Sequence, residues 1–196
     1  MTPLRAGIGF RVKTGYAIAI VLGGTRSAPE FSVRKEVLLS NLEDDDSRQP
    51  YHAGLHRGEQ VGTRVVRRAR SDAESRAVSA LQELVAAQQE RGANPASIGL
   101  VIGSEVDPQS LGNLHIRAHA LEGRFYREVL ETAATALDLR SIRLLERDTF
   151  QQAGKVLDRS PSQLEESLAR IGRAAGRPWR RDEQLAALAA WVALAS

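Results

Sequence analysis

Two segments set the pattern of apolar and polar positions. Residues 98–103, Ile-Gly-Leu-Val-Ile-Gly, are an apolar run with β-branched residues and no charge. That pattern predicts a strand buried on both faces. A helix is predicted next, starting near Leu111–Asn113, with Leu114, Ala118, Leu121, Phe125, Val129, Thr132 and Ala136 on one stripe at 3/4 spacing. Beside the stripe runs a second row, His115, His119, Glu122 and Tyr126, which reads as a polar surface edge of the helix.

The other elements follow in chain order. Leu4–Phe10, Tyr16–Leu22 and the alternating Phe31–Leu39 predict a three-strand meander, with Gly15 supplying a turn. Residues 41–72 hold an acidic run (Glu43 to Asp46), then Gly54, Gly58 and Gly62, then Arg64, Arg67, Arg68 and Arg70. This stretch predicts a long flexible loop, mobile or without contacts to the core over 43–66. A flap closing on a polyanion through its arginines is the functional version of the same loop. Ser71 or Asp72 can cap a helix reaching about Arg91, with Ala77, Leu81, Leu84 and Val85 inward. Ser141–Leu145 predicts a fifth strand. Helices are predicted at Thr149–Leu157, after the Ser160-Pro161 start, and over the Ala-rich Gln184–Leu194.

The order β-β-β-α-β-α-β-α-α-α implies an α/β protein with a mixed five-stranded sheet in order 3-2-1-4-5 and helices on both faces. Strand 98–103 would lie beside and parallel to the first strand. The 196 residues suit one domain. The sequence has no cysteine, which excludes a disulfide framework, a zinc-thiolate site and a thiol nucleophile. The longest apolar stretches, Ala17–Leu22 and Leu185–Ala195, are too short to cross a bilayer, so a cytoplasmic protein with no membrane partner is expected. A net charge of +3 is too weak by itself to imply nucleic acid.

Local clusters carry the candidate chemistry. Arg177, Arg180 and Arg181 surround Trp179, a composition that can grip phosphates while the ring stacks on a base. Arg11 and Lys13 end the first strand and, with that cluster, are expected to flank a concave nucleic-acid-binding face at the strand ends. Glu105 and Asp107 follow the buried strand, and Asp182 and Glu183 open the last helix. His115 and His119 at i and i+4 can clamp a transition metal, but the sequence identifies no third ligand, so no metal is expected. Gly123 inside the central helix implies a close approach to the sheet or another chain. Walker and G-x-S-x-G motifs are both missing.

Gly7-Ile8-Gly9-Phe10-Arg11-Val12-Lys13-Thr14-Gly15-Tyr16 resembles the opening strand and turn of the RuvC/YqgF branch of Holliday-junction resolvases, which read Gly-Ile-Asp-Pro-Gly and then a turn into Thr-Gly-Tyr. Ala118–Arg124 is similar to that branch's helix after the fourth strand, and Asp182-Glu183-Gln-Leu-Ala-Ala-Leu-Ala-Ala to its last helix. The likeness covers most of the chain outside 41–72 and implies the ribonuclease H-like fold. Active members hold two Mg²⁺ with carboxylates of the first strand, fourth strand and last helix, and use them to cleave phosphodiesters. Carried over, the first-strand Asp falls at Gly9 and the fourth-strand acid at Gly103, with Glu105 nearby. Asp182 and Glu183 are retained, and the position one turn further is Leu185. The resemblance therefore implies a pseudoenzyme with no cofactor, acting as a binding or scaffold module. Its expected partner is structured or single-stranded nucleic acid, a second copy or another protein. Two alternatives stand beside it. One is a Mg²⁺- or Mn²⁺-dependent nuclease rewired around Glu105, Asp107 and Asp182. The other is a nucleotide-binding protein of the actin-like branch, faintly suggested by Gly23-Gly24-Thr25.

Overall fold

The structure, a computed structural model, describes residues 4–55 and 57–196. Strands β1 (Leu4–Val12), β2 (Tyr16–Gly24) and β3 (Pro29–Leu38) form the expected meander, with Gly15 at φ 86° in the first turn. Then come α1 (Asp45–Arg48), α2 (Pro50–Gly54), α3 (Glu59–Gln89), β4 (Ala93–Ile102), α4 (Leu114–Ala136), β5 (Arg140–Leu145), α5 (Thr149–Leu157), α6 (Pro161–Ala175) and α7 (Arg181–Ala195). The sheet order is β3-β2-β1-β4-β5. β1 pairs antiparallel with β2 and parallel with β4, and β4 is parallel to β5. The parallel pairs arise where a helix crosses between strands, α3 before β4 and α4 before β5. Among the described residues no helix is long and apolar enough to cross a membrane.

Side chains alternate across a strand, so β1 serves two cores. Ile8, Phe10 and Val12 pack with Ala73, Ala77 and Leu81 of α3 and Phe125, Val129 and Leu130 of α4. On the opposite face Ile20, Leu22, Val101 and Leu144 pack with α5, α6 and α7. Helix α7 is buried continuously from Leu185 to Leu194, which explains a helix apolar all round.

The contact between α7 and the sheet is made at backbone distance. A Cβ added at Gly9 would stand 2.0 Å from the Ala186 carbonyl oxygen and 2.2 Å from the Ala190 nitrogen. A Cβ at Gly7 would meet the Ala190 oxygen at 2.2 Å, and one at Gly99 the Ala189 oxygen at 2.3 Å. Gly9 and Gly99 are register partners, so the glycines form one shallow channel across β1 and β4. Alanines on the helix face it, and the two backbones meet without intervening side chains.

Several expectations need correction. Residues 59–71 are helical, because the alanine stripe of α3 begins at Ala69, earlier than the apolar residues counted for it. Gly54 and Gly62, read as loop signals, instead let α2 and α3 touch: a Cβ at Gly54 would be 3.0 Å from the Gly62 Cα. The stretch 43–66 also contacts the core. The Tyr126 hydroxyl donates to the Ser47 and Arg48 carbonyls at 3.0 and 2.8 Å, Tyr51 meets Phe125 edge-on, and Pro50 is buried. That covering buries Glu122 and Tyr126, so of the expected surface row only His115 and His119 are exposed. Gly123, finally, has nothing within 4 Å of an added Cβ, so packing within this chain does not require it.

Gly9→Ala is expected to destabilise the protein by about 3 kcal/mol or more, because backbone on both sides must move. Gly123→Ala should stabilise it by up to about 1 kcal/mol through helix propensity. Urea denaturation of the two variants tests the pair. The Tyr126 phenol is pushed up to about 12, chiefly by burial. Its folded value thus exceeds the ordinary one of about 10. The associated stability is complete below about pH 10 and is lost as pH rises from there through about 12. Below about pH 10 wild type should exceed Tyr126→Phe in stability by a constant amount, and alkaline denaturation should show that difference shrinking as pH rises through the window.

Candidate functional site

The C-terminal ends of β1 and β4, the start of α7 and the segment after β5 meet at one edge of the sheet. Arg11 follows Gly7 and Gly9 on the α7 face of β1, just where the helix begins. It is 6% exposed. Its Nε donates to Asp182 Oδ1 at 3.2 Å, its Nη2 to Glu146 Oε2 at 2.5 Å, and its Nη1 to the Val12 carbonyl at 2.9 Å. Lys13 reaches the other Asp182 oxygen at 3.0 Å. A guanidinium fork between two carboxylates is a charge-assisted arrangement, stronger than neutral hydrogen bonds. Glu146 was missed from the sequence because nothing local marks it: its partner is 135 residues away.

The remaining candidate acids are engaged separately. Glu105 is exposed and faces Arg143 at 3.6 Å. Asp107 accepts from the Gln109 backbone N–H at 3.1 Å and caps a short 3₁₀ turn. Glu183 is buried and accepts from the Arg180 backbone N–H at 2.8 Å, closing the N-terminus of α7. Glu105, Asp107 and Asp182 thus have three different sets of partners.

The basic residues also divide. Arg11 is turned inward, although the sequence places it with an outward cationic group: its donors are taken by Asp182, Glu146 and a carbonyl. Arg177, Arg180 and Arg181 are exposed. Trp179 is half-buried, with its ring against Gly172 of α6; a Cβ there would meet the indole nitrogen. Arg34 on edge strand β3 donates to the carbonyls of Gly176, Arg177 and Pro178, which fixes this segment. A cleft of about 270 Å³ at the strand ends is lined by Lys13, Thr14, Gly103, Ser104, His119 and Arg124, among others.

The histidine row acquires a member that its spacing could not reveal. His52 of α2 lies beside His115 and His119, with ring centroids 4.7 and 4.2 Å away. Its Nδ1 lies 2.9 Å from Glu122 Oε2, and its backbone N–H donates to Glu122 Oε1 at 3.2 Å.

The architecture defines a RuvC-like ribonuclease H fold, and comparison with solved structures agrees. Thermus thermophilus RuvC in complex with a Holliday-junction substrate superposes with a TM-score of 0.56 at 8% identity, over 96% of this chain and 91% of that one. Thermus thermophilus RuvC in another structure gives 0.53 at 9% identity, over 95% and 92%. No protein-family model matches the chain, and no curated protein sequence does.

Arg11→Met keeps the side-chain stem but leaves Glu146 without its cation and Asp182 with Lys13 alone. The expected loss is about 2 kcal/mol, below the value for a fully buried pair because both acids are partly exposed. Adding Asp182→Asn should recover part of it. Urea midpoints of the single and double variants measure both effects.

Proposed function

We propose that this chain is a non-catalytic ribonuclease H-fold protein that binds structured or single-stranded nucleic acid. The observation that carries the reading is the Gly9–Arg11 stretch of β1. A two-metal nuclease needs a bridging carboxylate at the centre of its sheet. Gly9 has no side chain, and the space a carboxylate would occupy is filled by the backbone of α7. Two residues on, Arg11 supplies the positive charge between Asp182 and Glu146 that a metal would otherwise bring. The donor set does not fit a pair of Mg²⁺ ions: hard cations take several oxygen ligands, and both Asp182 oxygens and one Glu146 oxygen are already paired to protein cations.

The surface supports the binding half of the reading. Lys13 and Arg124 line the cleft at the strand ends, and the exposed Arg177, Arg180 and Arg181 lie just before and at the start of α7. These groups can make phosphate contacts that tolerate any sequence. The fold neighbour in complex with a Holliday junction makes branched DNA the first ligand to test. A rewired nuclease using Glu105, Asp107 and Asp182 is disfavoured by their separate partners. A protein-interaction role is the outcome to adopt if nucleic acid does not bind.

Gel-shift assays with a four-way junction and with single-stranded DNA are expected to show weak binding at low salt. With about three phosphate contacts, affinity should fall roughly 40-fold between about 50 and 200 mM salt. Replacing Arg177, Arg180 and Arg181 together with Ala should weaken binding to all substrates alike. Mg²⁺ or Mn²⁺ should yield no cleavage product. Nicking of the junction that Asp182→Asn abolishes would overturn the non-catalytic reading.

A further inference from the structure

The geometry points to a transition-metal site of the zinc class formed by His52, His115 and His119, with Glu122 as its positioning residue. One ring nitrogen from each histidine lies within 4.8 Å of the others. His115 Nε2 and His119 Nε2 are 3.2 Å apart. Two nitrogens bound to one tetrahedral zinc at about 2.0–2.1 Å stand about 3.3–3.4 Å from each other. The pair on α4 is therefore already at chelating distance, set by the single helical turn between them.

His52 is prepared as the third ligand. The Glu122 carboxylate can only accept at His52 Nδ1, so the ring proton belongs there and the lone pair belongs on Nε2. That Nε2 is buried and has no hydrogen-bond partner among the described residues. A carboxylate that orients a histidine from behind is the usual support of a metal-bound imidazole. Glu122 itself is 1% exposed, and His52 is the one ion-pair partner it has among the described residues. A dication on the far side of His52 would offset that buried negative charge.

Three imidazole nitrogens suit zinc, cobalt, nickel or copper rather than magnesium or calcium. His115 and His119 are exposed, which leaves a fourth coordination position open to water. Bound there, the ion would join α2 to α4 and stabilise only the folded chain. The site shares no residue with the Arg11 ion pairs, and although His119 also lines the strand-end cleft, metal binding is read without nucleic acid present.

The test uses the full chain without an affinity tag, stripped with EDTA and dialysed. Titration with Co²⁺ should produce the visible d–d bands of a four-coordinate ion, saturating at one per chain, and Zn²⁺ should displace it and raise the Tm. Mg²⁺ should do neither. The His115→Ala, His119→Ala double variant, altered only at exposed positions, should keep its apo Tm and lose the cobalt bands. Glu122→Gln should bind about 10- to 100-fold more weakly and still reach the wild-type cobalt spectrum at saturation. Absence of cobalt bands in the wild type, or bands unchanged in the double histidine variant, would overturn the site. An equal Tm rise with Mg²⁺ would also overturn it.

Discussion

The meeting of α7 with the glycines of β1 and β4 governs the rest of this structure. With no side chain at Gly7, Gly9 or Gly99, the helix backbone descends onto the sheet, and only small residues can face it. Ala186, Ala189 and Ala190 occupy that interface. The helix rises in number from Gly9 toward Gly7, so it runs antiparallel to β1. Its N-terminus, with Asp182, therefore arrives at the C-terminal end of β1 beside Arg11. The same contact that builds the core thus aims the ion pairs at the sheet edge. It also removes the room in which a first-strand carboxylate would stand.

Such close approach leaves α7 buried on all sides, and its polar ends must be resolved locally. Glu183 folds back on the Arg180 N–H, and the indole of Trp191 donates to the Arg26 carbonyl at 2.8 Å. Removing these partners would strand buried polar groups, which costs more than the bonds gain when formed.

The opposite face follows a different logic. There α3 and α4 lie on larger side chains, and the polar edge of α4 is roofed by α1 and α2. Roofing turns Glu122 and Tyr126 from surface residues into buried ones that need partners. Ser47 and Arg48 supply carbonyls to the phenol, and His52 supplies donors to the carboxylate. Arg70, above the ring of Phe125, joins α3 to the same region through Glu128. Burial raises the Glu128 carboxyl, but hydrogen bonds and charge from Arg124 and Arg70 outweigh it and hold it below the ordinary value.

Periodicity alone was enough to determine the strands, most helices and the sheet order of this protein. An alternating or uninterrupted apolar run states how many faces of a strand are covered, and crossover helices force parallel pairing. The glycine at position 9 was equally legible, since it is a single letter in a strand. Three things were decided only by tertiary structure. Residues 59–71 look like a loop because Gly62 serves contact with Gly54 of α2, which no local pattern records. Arg11 reads as an outward cation until Glu146, far along the chain, is brought against it. His115 and His119 form only a pair on one helix face, and the third histidine comes from an element that packs there because Tyr126 and Glu122 hold it. Local spacing specifies which residues share a face; it contains nothing about which distant segment will cover that face.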